Sequence, residues 1–204
     1  MVFASTRQIY GKPDYLPVDE KHPLRPSDVN GINKIAGESY HLLYHAVYGI
    51  PTCALRLTNT YGPGMRIKDA RQTFVGIWIR RLLEQQPFEV WGGEQLRDFN
   101  YVDDVVEAFV AAAVEPKAAG RVFNLGSSEV VSLRQLAELL VRINGGGRFE
   151  VREYPAERKK IDIGDYYSDY RAVREAVGWQ PRVALEEGLA RTLAYFRAHA
   201  RDYL

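Results

Sequence analysis

The chain has 204 residues, with 27 Lys and Arg residues against 26 Asp and Glu residues. This length suits one domain or two small lobes, and it excludes a large multidomain protein within this chain. A net charge of +1 gives no positive surplus for a nucleic-acid backbone, so we expect no nucleic-acid partner. The single cysteine, Cys53, excludes an internal disulfide and a cysteine-based metal cluster.

Hydrophobic residues make up 46% of the chain, which is typical of a packed globular protein. No apolar run approaches the roughly 18 residues of a membrane span, and the first five residues do not resemble a signal peptide. We therefore expect no membrane partner and a reducing, cytoplasmic location.

The first half of the chain begins with a short apolar segment that resembles the last strand of a larger sheet. From Asp28 onward, apolar residues recur every three or four positions and predict a helix over about 28–48, capped by Ser27 or Asp28. Gly49 is expected to end this helix. The next residues predict a buried strand over 52–57.

The rest of the chain continues to alternate between helical and strand patterns, which indicates an α/β fold. Ser132 and Gln135 form a capping box that begins a helix, and Asn144 to Gly147 end it. Asp103 and Asp104 are interpreted as a helix cap with its first-turn acid. Further helices are predicted near 74–82, 105–113, 170–177 and 185–199, strands at 88–91, 99–102, 121–125 and 149–154, and an extended charged loop up to Tyr167.

Few residues indicate chemistry by their spacing alone. Asn30 and Lys34 are four residues apart and share one helix face, but a lysine on a helix face is usually solvated. The four histidines have no ligand spacing beyond one i, i+4 pair, so we expect no metal site.

Five sequence blocks, in order, resemble the extended short-chain dehydrogenase/reductase superfamily, and more narrowly its NAD-dependent nucleotide-sugar epimerases and dehydratases. The resemblance covers nearly the whole chain. The blocks are Ser5–Gly11 with Asn30–Glu38, Leu55–Gly64, Gly92–Asp104, Phe123–Gly126, and the tail Gly178–Pro181 with Leu185–Leu189.

The resemblance implies the C-terminal part of a Rossmann-like doubly wound fold plus a small α/β substrate-binding lobe. Residues 1–65 would be the remnant of the NAD-binding domain. Residues 66–204 would be mainly the substrate lobe, with about 99–125 returning to the first domain. The family's Gly-rich turn after a first strand is not in this sequence, because the cluster Gly145–Gly147 follows a helix. A truncated gene model, a cut fragment or a partner chain that supplies the rest would each explain this, and we expect weak or no NAD binding by the chain alone.

The resemblance also assigns catalytic positions. Thr6 occupies the place of the Ser or Thr that binds the reacting hydroxyl, and Lys34 that of the lysine in the Tyr-x-x-x-Lys pair. The tyrosine position is Asn30, and a carboxamide has no useful pKa for exchanging a proton. Arg7 and Gln8 stand where the dehydratases carry an Asp-Glu pair, which argues against 4,6-dehydration.

The remaining site residues follow from the same resemblance. The nicotinamide end of NAD would contact Ser5, Lys34 and Leu57. Arg97 would pair with the substrate diphosphate, because its forked guanidinium suits phosphate oxygens. The other substrate-binding candidates are Asn59, Val90 in the segment that holds the base, and Asp162, whose spacing matches only loosely.

The leading hypothesis is an NAD-dependent nucleotide-sugar epimerase-like protein, incomplete as given, that acts on a nucleoside-diphosphate sugar. A non-catalytic nucleotide-sugar-binding module and an inactive truncated fragment remain the alternatives. An unpaired sheet edge predicts a homodimer or other association.

Overall fold

The computed structural model describes residues 1–68, 73–154 and 162–203. The strands are β1 (Val2–Thr6), β2 (Cys53–Leu57), β3 (Asn59–Tyr61), β4 (Phe88–Trp91), β5 (Leu96–Tyr101), β6 (Arg121–Asn124), β7 (Val130–Ser132) and β8 (Phe149–Arg152). The α-helices are α1 (Val29–Tyr48), α2 (Phe74–Leu83), α3 (Val102–Val114), α4 (Leu133–Asn144), α5 (Arg171–Val177), α6 (Leu185–Ala198) and α7 (Ala200–Tyr203). In these described ranges no helix combines the length and apolar character needed to cross a membrane.

The strands of the described residues form three small sheets. The first is parallel, in the order β1-β2-β6. In the second, β5 pairs in parallel with β3 and antiparallel with β7, and the third is the parallel pair β4-β8. This mixture of parallel strands and helices confirms the predicted α/β class. Among the described strands β1 pairs with β2 alone, and association through a sheet edge stays a prediction.

Helix α1 follows the predicted pattern closely. The Asp28 side chain accepts a hydrogen bond from the Gly31 amide at 2.7 Å and so caps the first turn. Gly49 ends the helix with a left-handed backbone (φ 67°), which glycine adopts without strain. The predicted capping box of Ser132 and Gln135 is also present at the start of α4.

In the described part of the chain, the apolar side chains form three separate cores. The largest joins α2, α4 and α6 to β3, β4 and β5. The second joins β2 and β6 to α3 and α5. The third contains Ile9, Tyr10, Val18 and Tyr166, so it connects the first turn of the chain to a segment near residue 166.

A buried ion pair attaches α1 to the first sheet. Glu38 on α1 accepts two hydrogen bonds from Arg56 on β2, at 2.9 and 2.7 Å. Arg56 also donates to the Tyr10 hydroxyl, which in turn donates to Asn124 on β6. The helix that carries Asn30 and Lys34 is therefore held to the sheet by a continuous polar network.

Some features of the structure differ from the sequence predictions. The three-residue strands β3 and β7 were not predicted, because each is defined by pairing with the distant β5.

The sequence interpretation of Asp103 and Asp104 as a helix N-cap and a first-turn acid was wrong for the cap, although both residues do lie in the first turn of α3. Helix α3 begins after Tyr101 without a side-chain cap, and the Asp104 carboxylate instead accepts the amides of Arg182 and Val183 at 3.1 and 3.0 Å.

The domain boundary near residue 65 stays a prediction. Residues 121–124 pair with β2 in the first sheet, and α5 packs in the core beneath it. The predicted charged loop before Tyr167 lies in part outside the described residues.

Candidate functional site

The carboxyl ends of β1 and β2 position the first group of predicted residues. Thr6 and Leu57 end these strands and are paired in register. In parallel sheets, ligand sites form at the carboxyl ends of the strands. The structure therefore brings Thr6 and Leu57 to the edge where a site is expected.

Asn30 lies beside the turn that follows β1. Its Nδ2 donates to Gln8 Oε1, and Gln8 Nε2 donates to Asp28 at 2.8 Å. The Gln8 amide also donates to Thr6 Oγ1 at 3.3 Å. The two predicted catalytic positions, Thr6 and Asn30, thus share contacts with Gln8, a residue that the sequence did not single out as a link.

Gly31 permits this close approach of helix and turn. A Cβ at this position would lie 2.6 Å from the Gln8 carbonyl oxygen and 2.7 Å from Pro26 Cβ. Any larger residue would push the start of α1, and with it Asn30, away from Gln8.

Lys34 contacts β1 rather than Asn30. Its Nζ donates to the Ala4 carbonyl at 2.6 Å and lies 5.0 Å from the centre of the Phe3 ring. The next residue, Ser5, is buried, and its hydroxyl has no hydrogen-bond partner. A buried hydroxyl without a partner is uncommon and is a candidate contact for a bound group.

The second group of predicted residues surrounds Arg97. Arg97 is 6% exposed, and its Nη1 donates to the Leu96 and Gly164 carbonyls. Its Nη2 lies 3.5 Å from Asp162 Oδ1. Asp162 is therefore placed beside Arg97, although its sequence spacing matched only loosely.

Burial and charge change the acidity of this group. Burial and the nearby Arg7 guanidinium lower the pKa of Arg97 to about 10, although Asp162 opposes the shift. Burial raises the pKa of the neighbouring Asp98 to about 6, although hydrogen bonds from Thr58 and the Ser168 amide oppose that shift.

Asn59 joins the backbone of β5 at Asp98 to Arg7, which follows the end of β1. Its Nδ2 donates to the Asp98 carbonyl at 2.9 Å, and its Oδ1 accepts from Arg7 Nη2 at 3.3 Å. Arg7 also lies over the Tyr166 ring, 5.1 Å from its centre. Arg7 is thus a further candidate site residue, and its only signal in the sequence is the departure from the dehydratase pattern.

An aromatic cleft of about 520 Å³ lies beside β4. Phe74, Trp78, Trp91 and Tyr154 line it, together with Arg81 and Arg152. The predicted residue Val90 is fully buried in the core, whereas its neighbours Glu89 and Trp91 face the cleft. Because side chains alternate along a strand, the predicted base-binding segment presents Trp91 rather than Val90.

The comparisons with known proteins identify the family of the chain. Residues 1–126 match the family model described as "NAD dependent epimerase/dehydratase family". A putative UDP-glucose 4-epimerase of Methanocaldococcus jannaschii is 33% identical over 98% of this chain and 64% of its own length.

Solved structures show the same resemblance. The UDP-glucose 4-epimerase of Thermotoga maritima with UDP-glucose has a TM-score of 0.87 and 32% identity, over 98% of this chain and 63% of that one. MoeE5 in complex with UDP-glucuronic acid and NAD has a TM-score of 0.85 and 29% identity, over 97% and 64%. The chain thus spans slightly less than two thirds of these relatives. Because the family model matches more than half of the chain, this protein belongs to the NAD-dependent epimerase/dehydratase family.

Proposed function

We propose that the chain is the substrate-binding part of an NAD-dependent nucleotide-sugar epimerase. The base of a nucleoside-diphosphate sugar would lie in the aromatic cleft, the diphosphate on Arg97, and the sugar toward Thr6. The observation that carries this proposal is the buried Arg97 guanidinium, which is held by backbone carbonyls and has Asp162 beside it. Such a fixed, buried fork suits phosphate oxygens.

The chain's own residues limit how the reaction proceeds. Epimerisation removes a hydride from a sugar carbon and returns it to the other face, and bound NAD supplies the hydride acceptor. Thr6 would bind the reacting hydroxyl, and Asn30 would donate or accept hydrogen bonds there. Neither side chain takes up a proton at neutral pH, so the proton acceptor is a separate group.

The described residues fit only one end of the cofactor. The unpartnered Ser5 hydroxyl, Lys34 and the end of β2 at Leu57 would contact the nicotinamide half. The first residue of the cluster Gly145–Gly147 is the left-handed C-cap of α4, so the cluster follows a helix. It therefore cannot form the phosphate-binding turn between a strand and a helix.

We expect the 204-residue chain to bind NAD weakly or not at all. The pyrophosphate of a dinucleotide is normally held by the Gly-rich turn, and the sequence does not contain that turn. Calorimetric titration with NAD measures this directly, and micromolar affinity would contradict the expectation.

Replacing Arg97 by alanine should weaken the binding of UDP by about 1.5–3 kcal/mol, the range for losing a charge-assisted hydrogen bond. The dissociation constant is measured by calorimetry on the 204-residue chain. Arg201→Ala is the matched control, because it removes the same charge from an exposed position on α7. An equal dissociation constant for the Arg97 variant and the unchanged chain would remove Arg97 from the site.

A non-catalytic nucleotide-sugar-binding module is the second candidate. It is favoured by Asn30, whose amide is engaged with Gln8 and cannot act as an acid or base. Both candidates require UDP binding through Arg97, and they differ in turnover by the complete protein.

A further inference from the structure

Arg7 is a partly buried cation at the sugar side of the proposed site. It follows Thr6 directly and lies in a short 3-10 turn over Arg7–Ile9. Its guanidinium is fixed by one hydrogen bond to Asn59 Oδ1 at 3.3 Å and by stacking on Tyr166. The remaining N–H groups of Arg7 are left to bind another acceptor.

The carboxylates around Arg7 are engaged elsewhere. Asp98 accepts from the Thr58 hydroxyl and the Ser168 amide, and Asp162 faces Arg97. Asp28 caps α1 and accepts from Gln8. Within residues 1–68, 73–154 and 162–203, Arg7 forms no ion pair with any carboxylate.

Two guanidinium groups, those of Arg7 and Arg97, lie close enough at this site to repel each other. Arg7 lowers the pKa of Arg97 because the two guanidinium groups repel each other, and burial lowers the pKa of Arg7 itself. Buried charges are normally paired, and Arg97 already has Asp162 beside it, so an anion from the substrate would stabilise Arg7 in particular. Arg97 is assigned to the diphosphate, which leaves Arg7 without an anion.

We propose that Arg7 binds a carboxylate on the sugar, so that the substrate is a nucleoside-diphosphate uronic acid or a similar acidic sugar. The proposal rests on the proposed function above. Arg7 adjoins Thr6, the residue expected at the reacting hydroxyl, and so lies on the sugar side rather than the diphosphate side. A planar guanidinium matches the geometry of a carboxylate.

The test is calorimetric titration of the 204-residue chain with UDP, UDP-glucose and UDP-glucuronate. UDP-glucuronate should bind about tenfold more tightly than UDP-glucose, the gain expected from one charge-assisted pair. In Arg7→Gln this preference should disappear, so that the dissociation constants for UDP-glucose and UDP-glucuronate become equal. Glutamine keeps an N–H donor for Asn59, and Arg201→Gln serves as the control that should change none of the three affinities.

The three ligands separate the ways in which the proposal can fail. Equal affinities for UDP-glucose and UDP-glucuronate in the unchanged chain would overturn it, whether or not the variant folds. An equal loss for all three ligands in Arg7→Gln would overturn it as well, because Arg7 would then serve the diphosphate. If UDP itself did not bind, the proposed function would fail and this proposal with it.

Discussion

Replacing Glu38 by alanine should lower the free energy of unfolding by about 3–5 kcal/mol, the cost of leaving one partner of a buried ion pair without its counter-charge. The Glu38 and Arg56 side chains are only 4% and 5% exposed, and both carboxylate oxygens accept from the guanidinium. The variant would leave Arg56 buried with Tyr10 as its remaining side-chain acceptor. Urea unfolding followed by circular dichroism measures the change.

An exposed ion pair in the same chain provides the control. Arg25 and Asp14 lie 2.9 Å apart, but their side chains are 61% and 47% exposed. Asp14→Ala should therefore cost no more than about 1 kcal/mol. Equal losses for Asp14→Ala and Glu38→Ala would show that the buried network does not hold α1 to the sheet.

Replacing Asn30 by tyrosine should raise epimerase turnover by about 100- to 10,000-fold in a complete protein that joins this chain to a dinucleotide-binding part. General acid–base catalysis typically contributes a factor of this size. The phenol would lie one helical turn before Lys34, whose positive charge lowers the pKa of a neighbouring phenol. Turnover of a nucleotide sugar and formation of NADH are the measurements.

The Asn30→Phe variant is the matched control, because it adds a ring without a hydroxyl. It should give no gain over Asn30. A fast Asn30 protein that tyrosine does not improve would show that another group takes the proton, either desolvated Lys34 or a neighbouring tyrosine. That result would also exclude the non-catalytic module.

The sequence predicted those helices and strands that depend only on residues close together in the chain. The periodicity after Asp28 and the capping box at Ser132 depend on neighbours within four residues, and both match the structure within one residue. The strand at Phe88–Trp91 is likewise present as predicted, because its apolar residues alternate and turns flank it.

Features that depend on distant contacts could not be predicted in the same way. Strands β3 and β7 exist through pairing with β5, and the contact of Arg7 with Asn59 joins residues 52 apart in the chain. The alternation of side chains in β4 could have identified Trp91 rather than Val90 as the base-binding candidate, because Val90 lies on the apolar face. Catalytic and binding roles for the candidate residues remain predictions.

The arrangement of the cores has a consequence for dissecting the protein into fragments. The second core takes its side chains from β2, α3, β6 and α5, whereas the largest core is filled by segments that lie between and after these elements. Trp179, near the end of the chain, donates to the Asp104 carbonyl at 2.7 Å. No single cleavage of the backbone therefore yields two pieces that each retain a whole core. We expect a contiguous fragment expressed alone not to be recovered folded. Two complementary fragments should be recovered folded when they are co-expressed.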